Sequence, residues 1–340
     1  FKELEFRQLQ QSFGGSGERR PKDYRAVQDS DTLKALVERL EKEPIFALDT
    51  ETTSRIPMRA DLVGLSFAIK PDEAFYIPCA HDYPGVGEQL QLAEVLKKLK
   101  PVLENPVQKK VGQNIKYDWL VLDRHGINLD GVEFDTMLAS YLINPSKRAH
   151  NLDQIALDFL DHRTITYAEV AGKGKGAKTF AQVPLDKAVP YACEDADITL
   201  MAKNVLEREL ETNKLTELLN TVEMPLVPVL MRMEKKGVAV DREKLHELSK
   251  SFADRLEQLE SDIYEIAGER FNIKSSQQLG YILFEKLNLP VQKKTRKKTG
   301  YSTDVNVLTV LARQHELPAF ILEHRTLAKL KSTYSDALID

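Results

Sequence analysis

Three short segments hold residues whose types and spacing can do chemistry. In Asp49-Thr50-Glu51, two acids stand two apart where the apolar run over 45–48 ends. Alternate positions of a strand share a face, so both carboxylates leave the sheet on the same side. In Gly112-Gln113-Asn114-Ile115-Lys116-Tyr117-Asp118, a short strand hands over to a helix and puts Asp118 in its first turn. In Tyr191-Ala192-Cys193-Glu194-Asp195, the tyrosine and the last acid lie four apart in a helical context and share a helix face. Each segment alone has an ordinary explanation: solvated acids at a strand end, an acid favoured by a helix dipole, a surface Tyr/Asp pair. In combination and in this order they are far more specific.

Four carboxylates converging from strand ends and helices repel one another unless cations occupy the middle. Oxygen ligands select hard ions, Mg²⁺ or Mn²⁺, and none of the seven histidines lies in the three segments to favour zinc. Two such ions about 3.5–4 Å apart clamp the attacking and leaving oxygens of an in-line displacement. The chemistry expected is phosphodiester hydrolysis.

The elements that must position these acids are legible in outline. Strands are expected over 45–48, 62–69, 74–78 and 109–113, the second and third as antiparallel neighbours. Apolar spacing of three and four predicts helices over 31–40, 90–103, 117–125, 136–142 and 152–160, and one long helix over 188–219. Strands clustered early, with helices between and after them, indicate an α/β layer fold. Pro225 and Pro228 break the pattern. Beyond them Leu245, Leu248, Phe252, Leu256, Leu259, Ile263 and Ile266 form the narrow seam of a long helix, and the rest reads as all α.

Composition bounds the class. At 340 residues, 42% hydrophobic and 29% charged, the chain suits about two globular domains. No apolar run approaches the roughly 20 residues that span a bilayer, so no membrane partner is expected. The net charge of −4 leaves the partner open, because a sum can hide a local basic face. Only Cys79 and Cys193 occur, outside any Cys/His cluster, which fits a reducing compartment; the cytoplasm is expected. Cys193 reads as a small buried side chain with no chemical role. The first residue is Phe1, without an initiator Met or a signal peptide, so the sequence reads as a piece of something longer.

With those residues in place, the chain resembles the bacterial family A DNA polymerases, beginning with their 3′-5′ proofreading exonuclease domain. The three segments look like that family's exonuclease motifs, in the tyrosine-containing branch of the DEDD exonucleases. The resemblance implies a ribonuclease H-like fold, a mixed sheet with flanking helices, followed by an all-α thumb. It implies metal ligation by Asp49, Glu51, Asp118 and Asp195, with Tyr191 orienting water, and substrate contacts from Gln113, Asn114, Tyr117 and the stacking ring of Tyr167. Where the family commonly wedges an apolar side chain against the terminal base, this chain has Arg55 followed by Ile56. The domains expected are 1–23, the end of a preceding 5′-nuclease region and linker; 24–220, the exonuclease; and 221–340, the start of a polymerase domain. The segment Glu223-Met224-Pro225-Leu226-Val227-Pro228-Val229-Leu230 is similar to that domain's opening, and Leu327-Ala328-Lys329-Leu330-Lys331-Ser332-Thr333-Tyr334 to the end of its thumb. The sequence stops at Asp340, before palm and fingers, so this chain is not expected to polymerise DNA by itself.

The partners implied are a single-stranded DNA 3′ end in the exonuclease cleft and a duplex at the thumb, held by Ser275, Ser276, Lys293, Lys294, Arg296, Lys297 and Lys298. A monomer in the bacterial cytoplasm, associated with the nucleoid, is expected. The glycine- and lysine-rich stretch over 172–179 fails the ATPase phosphate-loop pattern, which needs glycine where Ala177 stands, and reads as a basic loop beside the cleft. Two alternatives remain at this stage: a catalytically silent DNA-binding module, and an RNA-processing exonuclease of the same superfamily.

Overall fold

The computed structural model describes residues 22–293 and 300–339. Residues 1–21 of the expected 5′-nuclease end and linker, and the basic residues Lys294, Arg296, Lys297 and Lys298, lie outside the described residues. The chain divides into two compact units, the first running through Gly237 and the second starting at Val238. The second boundary was expected at 220/221. The proline-interrupted helix Met224–Lys236 instead belongs to the first unit: Val227 is buried in its core, and Lys235 pairs with Asp123 at 2.8 Å.

The first unit is built on a six-stranded sheet in the order β1-β4-β3-β2-β5-β6. These strands are β1 (Asp23–Ala26), β2 (Ile45–Thr52), β3 (Leu62–Lys70), β4 (Glu73–Pro78), β5 (Lys109–Gly112) and β6 (Val132–Asp135). β2, β3 and β4 form an antiparallel meander, β5 and β6 extend it in parallel from β2, and β1 lies parallel to β4. With helices on both faces, this is the ribonuclease H-like arrangement. β1 and β6, of four residues each, had no counterpart in the sequence reading.

Period-two alternation along β2 divides the two cores. Phe46 and Leu48 point into the core shared with helices α1 (Ser30–Leu40), α2 (Leu92–Leu103) and α3 (Ile115–Arg124). Ala47 points the other way, toward α4 (Thr136–Ile143), α5 (Leu152–Leu160), α6 (Tyr167–Ala171) and the long α7 (Leu185–Thr212). Small residues line that second contact, Ala47, Ala68 and Ala74 on the sheet and Ala188, Ala192 and Ala196 on the helix, so α7 lies close against the strands. It ends at Thr212, short of the expected 219, where Lys214 turns left-handed at φ 58°.

One carboxylate seats two helices. Asp135, the last residue of β6 and 1% exposed, caps α4 by accepting from the N–H of Met137 at 2.8 Å and of Leu138 at 3.2 Å. It also accepts from the N–H of Asn114 at 3.2 Å and of Ile115 at 2.8 Å, where α3 begins. Two positive helix ends thus meet on one buried charge.

The second unit is helical among the described residues: α8 (Arg242–Ala267), α9 (Ser276–Tyr281), α10 (Val305–Leu311), α11 (Glu316–Lys329) and the short α12 (Asp336–Ile339). Its core gathers Ile263, Ala267, Leu279, Leu283, Leu308, Leu311, Leu317 and Ile321. Asp241 caps α8 through the Lys244 N–H at 2.9 Å, and Arg255 braces it to Glu323 on α11 at 2.8 Å. No described helix is long and apolar enough to cross a membrane.

A single helix cap contributes about 1–2 kcal/mol, so Asp135→Ala is expected to destabilise the chain by about 2–4 kcal/mol. A shift in the urea midpoint reads it, and a loss below 1 kcal/mol would mean that the double cap carries little of the fold.

Candidate active site

Asp49 and Glu51 follow Ala47 on the sheet face that α7 covers, and α7 brings Asp195 to the same place. One carboxylate oxygen from each of Asp49, Glu51 and Asp195 lies within 4.8 Å of the other two. Glu51 is 7% exposed, and its buried Oε1 has no hydrogen-bond partner. The energetic consequence is visible in every member. Burial pushes the Asp49 carboxyl up to about 7. Burial raises Glu51 as well, and the charges of Asp49, Asp195 and Asp118 raise it further. Asp195 is raised by burial and by Asp49, against the hydrogen bond it receives from Tyr191.

Asp118 arrives by a different route. β2 outruns β5, with pairing that ends at Ala47 and Val111, so the Thr50 N–H on that edge has no strand partner. Asp118, from the first turn of α3 and 2% exposed, fills the gap: its Oδ1 accepts from the Thr50 N–H at 3.0 Å and from the Thr50 hydroxyl at 2.5 Å. It stands beside the trio, raised by burial and by the charge of Asp49. Thr50 is the tether that sequence reasoning passed over. Strand alternation, which turns it to the face opposite its two acidic neighbours, was the available signal.

The remaining expected residues sort by exposure. Tyr191 donates to Asp195, and burial with that charge lifts its phenol far above the ordinary range. Its ring meets Phe180 at 5.6 Å and Tyr167 at 6.3 Å, the latter edge-on. Tyr167 is 38% exposed, and its hydroxyl donates to the Lys178 carbonyl at 3.3 Å, which ties the basic loop to the rim. Arg55 and Ile56 are also exposed; burial and the charge of Glu51 raise the Tyr167 phenol, and Arg55 lies close enough to oppose them in part. Gln113, Asn114 and Tyr117 are half-buried. The Gln113 amide donates to the His150 carbonyl at 2.8 Å and accepts from Thr136, Asn114 holds a left-handed turn at φ 58°, and the Tyr117 hydroxyl engages Thr52 and the Ser54 carbonyl. These three brace the walls of the site. Glu194, next to Asp195, was also missed: it accepts from His162 at 2.8 Å and from the Ile165 N–H at 2.5 Å, and so holds the loop that leads to Tyr167.

A hard divalent cation suits this cluster. The donors are carboxylate oxygens, they repel one another, and one buried oxygen is unclaimed by any protein donor. A cleft of about 600 Å³ beside Trp119 and β6 contains none of the four acids.

In the second unit, a groove of about 320 Å³ is lined by Lys274, Arg325, Lys329, Ser332 and Thr333, with His324 and Ile273 among its walls. The expected Ser275 caps α9 through the Gln278 N–H at 3.4 Å, Ser276 is exposed at the helix start, and Lys293 pairs with Asp304 at 3.5 Å.

Comparison with known proteins agrees with this geometry. A family model described as 3′-5′ exonuclease matches residues 24–211, and one described as DNA polymerase family A matches residues 242–340. The chain belongs to the family A DNA polymerases. It is 46% identical to DNA polymerase I of Pseudomonas aeruginosa over 93% of this chain and 35% of the relative. The DNA polymerase I of Rhizobium leguminosarum is 43% identical over 93% of this chain and 33% of the relative. The chain thus spans about a third of the length of these curated relatives. Among solved structures it is similar to the POL domain of Pol1 from M. smegmatis in complex with DNA primer-template and dNTP, with a TM-score of 0.73 and 27% identity over 93% of this chain and 50% of that one. In this family A chain, the match to the exonuclease model contains all four acids and Tyr191.

A carboxyl raised on folding adds stability at low pH that is lost as pH climbs through its folded value. In chelator, the protein is therefore expected to lose stability between about pH 4 and pH 7 through Asp49. Asp49→Asn is expected to be the more stable chain at pH 8, read by denaturant midpoints. Equal midpoints at pH 8 would show that the cluster is not strained.

Proposed function

We propose that the first unit removes the 3′-terminal nucleotide of a DNA strand by hydrolysis, releasing a nucleoside 5′-monophosphate. The observation that carries this reading is the meeting of Asp49, Glu51 and Asp195 within 4.8 Å, with Asp118 tethered alongside, in a match to the 3′-5′ exonuclease family. Asp49, Glu51 and Asp195 would hold one divalent ion and Asp49 with Asp118 a second, Mg²⁺ or Mn²⁺ by the hardness of the donors. When bound, such ions supply Lewis-acid activation of water and neutralise charge on the phosphate.

The chain's own residues do the rest. Tyr191, fixed by its bond to Asp195 and by the rings around it, presents its phenol oxygen to orient the attacking water. Water oxygen bonds to phosphorus as the bond to the 3′-oxygen breaks, and that oxygen leaves as a hydroxyl. The exposed face of Tyr167 stacks on a terminal base, with Ile56 and Arg55 on the same rim. A strand frayed from its complement suits this rim, and the DNA polymerase family A match over residues 242–340 favours proofreading of newly made DNA over RNA processing. The complete acidic set favours an active enzyme over a silent module.

For the second unit we propose duplex binding. Lys274, Arg325 and Lys329 gather on one groove with two hydroxyl side chains, a phosphate-binding composition. The relative solved with a DNA primer-template supports DNA as the partner. Within a longer polypeptide the two units would serve a DNA-directed DNA polymerase, acting as a monomer in the bacterial cytoplasm.

Asp49→Ala is expected to lower release of nucleoside monophosphate from a labelled single-stranded 3′ end in Mg²⁺ by at least about 10³-fold. Near wild-type cleavage would remove the assignment. For the groove, Lys274→Ala with Lys329→Ala should reduce the salt slope of duplex binding by about 2, one phosphate contact each. An unchanged slope would move the duplex elsewhere.

A further inference from the structure

Three rings from three elements stand together, and one of them never meets solvent. Tyr167 comes from α6, Phe180 from a 3₁₀ turn over Phe180–Gln182, and Tyr191 from α7. Their centroids lie 6.4 Å apart between Tyr167 and Phe180, 5.6 Å between Phe180 and Tyr191, and 6.3 Å between Tyr167 and Tyr191. All three separations fall in the range where aromatic pairs attract, so the triangle is closed and no ring turns without disturbing the other two. Tyr167 is 38% exposed, whereas Phe180 is 0% exposed. Phe180 therefore cannot touch a substrate.

The corners are anchored differently. The two tyrosines are tied at their hydroxyls, Tyr191 to Asp195 and Tyr167 to the Lys178 carbonyl at 3.3 Å. Phe180 has no such handle, and its turn is fixed through the backbone. The Thr179 N–H donates to Gln182 Oε1 at 3.2 Å, the Asp82 N–H donates to the Ala181 carbonyl at 2.6 Å, and the His81 Nδ1 lies 3.0 Å from the Val183 carbonyl. The Phe180 ring also meets the buried rings of Tyr76 at 6.4 Å and His81 at 5.7 Å. Toward Tyr167 it stands 28° from parallel, so it backs one face of that ring, and a base on the exposed side would continue the same stack. Toward Tyr191 it is tilted by 47°.

We infer that Phe180 is a positioning residue that sets both the plane of Tyr167 and the place of the Tyr191 phenol, and so joins base stacking to water orientation in one frame. This rests on the exonuclease reading of the site. An aliphatic side chain of similar size fills the space but imposes no ring geometry, so Tyr167 loses its backing and Tyr191 its lateral stop.

Values of kcat and KM for the full chain on a single-stranded DNA 3′ end in Mg²⁺ test it. Phe180→Leu is expected to raise KM about fivefold through Tyr167 and to lower kcat about fivefold through Tyr191, each the scale of one lost aromatic pair. In a Tyr167→Ala background the same substitution should lower only kcat, and in a Tyr191→Phe background it should raise only KM. A merely space-filling phenylalanine would carry both losses into both backgrounds, which overturns the inference. Phe180→Met, a flexible chain that adapts to irregular gaps, should repeat the split and serves where Phe180→Leu does not fold. Both parameters within about twofold of wild type in either folded variant overturn the inference as well. If wild type releases no nucleotide, the exonuclease reading falls and this inference with it; if wild type cleaves and the split is absent, only this inference falls.

Discussion

The structure is organised around a repulsion that it does not relieve with its own atoms. Two carboxylates with oxygens 4.8 Å apart repel by about 3–4 kcal/mol at an effective dielectric constant of about 20, and Asp49, Glu51 and Asp195 make three such pairs. Each is raised by burial, Glu51 also by the charges of Asp49, Asp195 and Asp118, and Asp195 also by that of Asp49. A protein that merely needed to fold would place an amide or a cation there. Holding three acids in this state requires a frame stiff enough to resist their separation.

That frame is the sheet with α7 laid against it. β3 is buried along all but its last residue, and the alanine-lined contact with α7 leaves no slack through which Asp195 could swing away from β2. Asp118 is held by a second mechanism, a tether to Thr50 that exists because β5 is shorter than β2. Asp135 fixes the start of α3, and thereby the angle at which Asp118 enters. The acids are thus positioned by backbone geometry and helix caps, and their own mutual energy is overruled.

The pattern of residues made part of this visible in advance. Apolar periodicity located the central strands and most helices, and the two-residue spacing of Asp49 and Glu51 put them on one face. What the sequence hid depended on pairing at a distance. β1 and β6 are too short and too polar to announce themselves, and β1 exists because Asp23 to Ala26 pair with residues some fifty positions later. Its end is pinned by Asp197, which accepts from Lys22 at 2.7 Å and Tyr24 at 2.8 Å, a charge that reads in the sequence as one more acid on α7. The end of α7 was misplaced because a left-handed lysine, where glycine is the usual signal, turns the chain. The Tyr117 hydroxyl and the Gln113 amide are engaged within the protein, with partners that no spacing rule can name.

The division between the acids, half-buried at Asp49 and Asp195 and buried at Glu51, and the exposed rim also constrains how a substrate would enter. A nucleic acid brings one negative charge per phosphate toward a cluster that already carries unneutralised carboxylates, so any affinity for the strand at the cluster is conditional on cations there. The rim residues Tyr167, Ile56 and Arg55 can hold a base or a phosphate without that condition, because they lie outside the acidic cluster. Ion and strand are then linked ligands, and by thermodynamic reciprocity each raises the affinity of the other by the same factor. On the proposed reading such a site discriminates twice, first at an apolar and cationic rim that would sense whether a 3′ end is free to leave its partner, and then at a cluster whose charge would admit the phosphate only when its own repulsion has been answered.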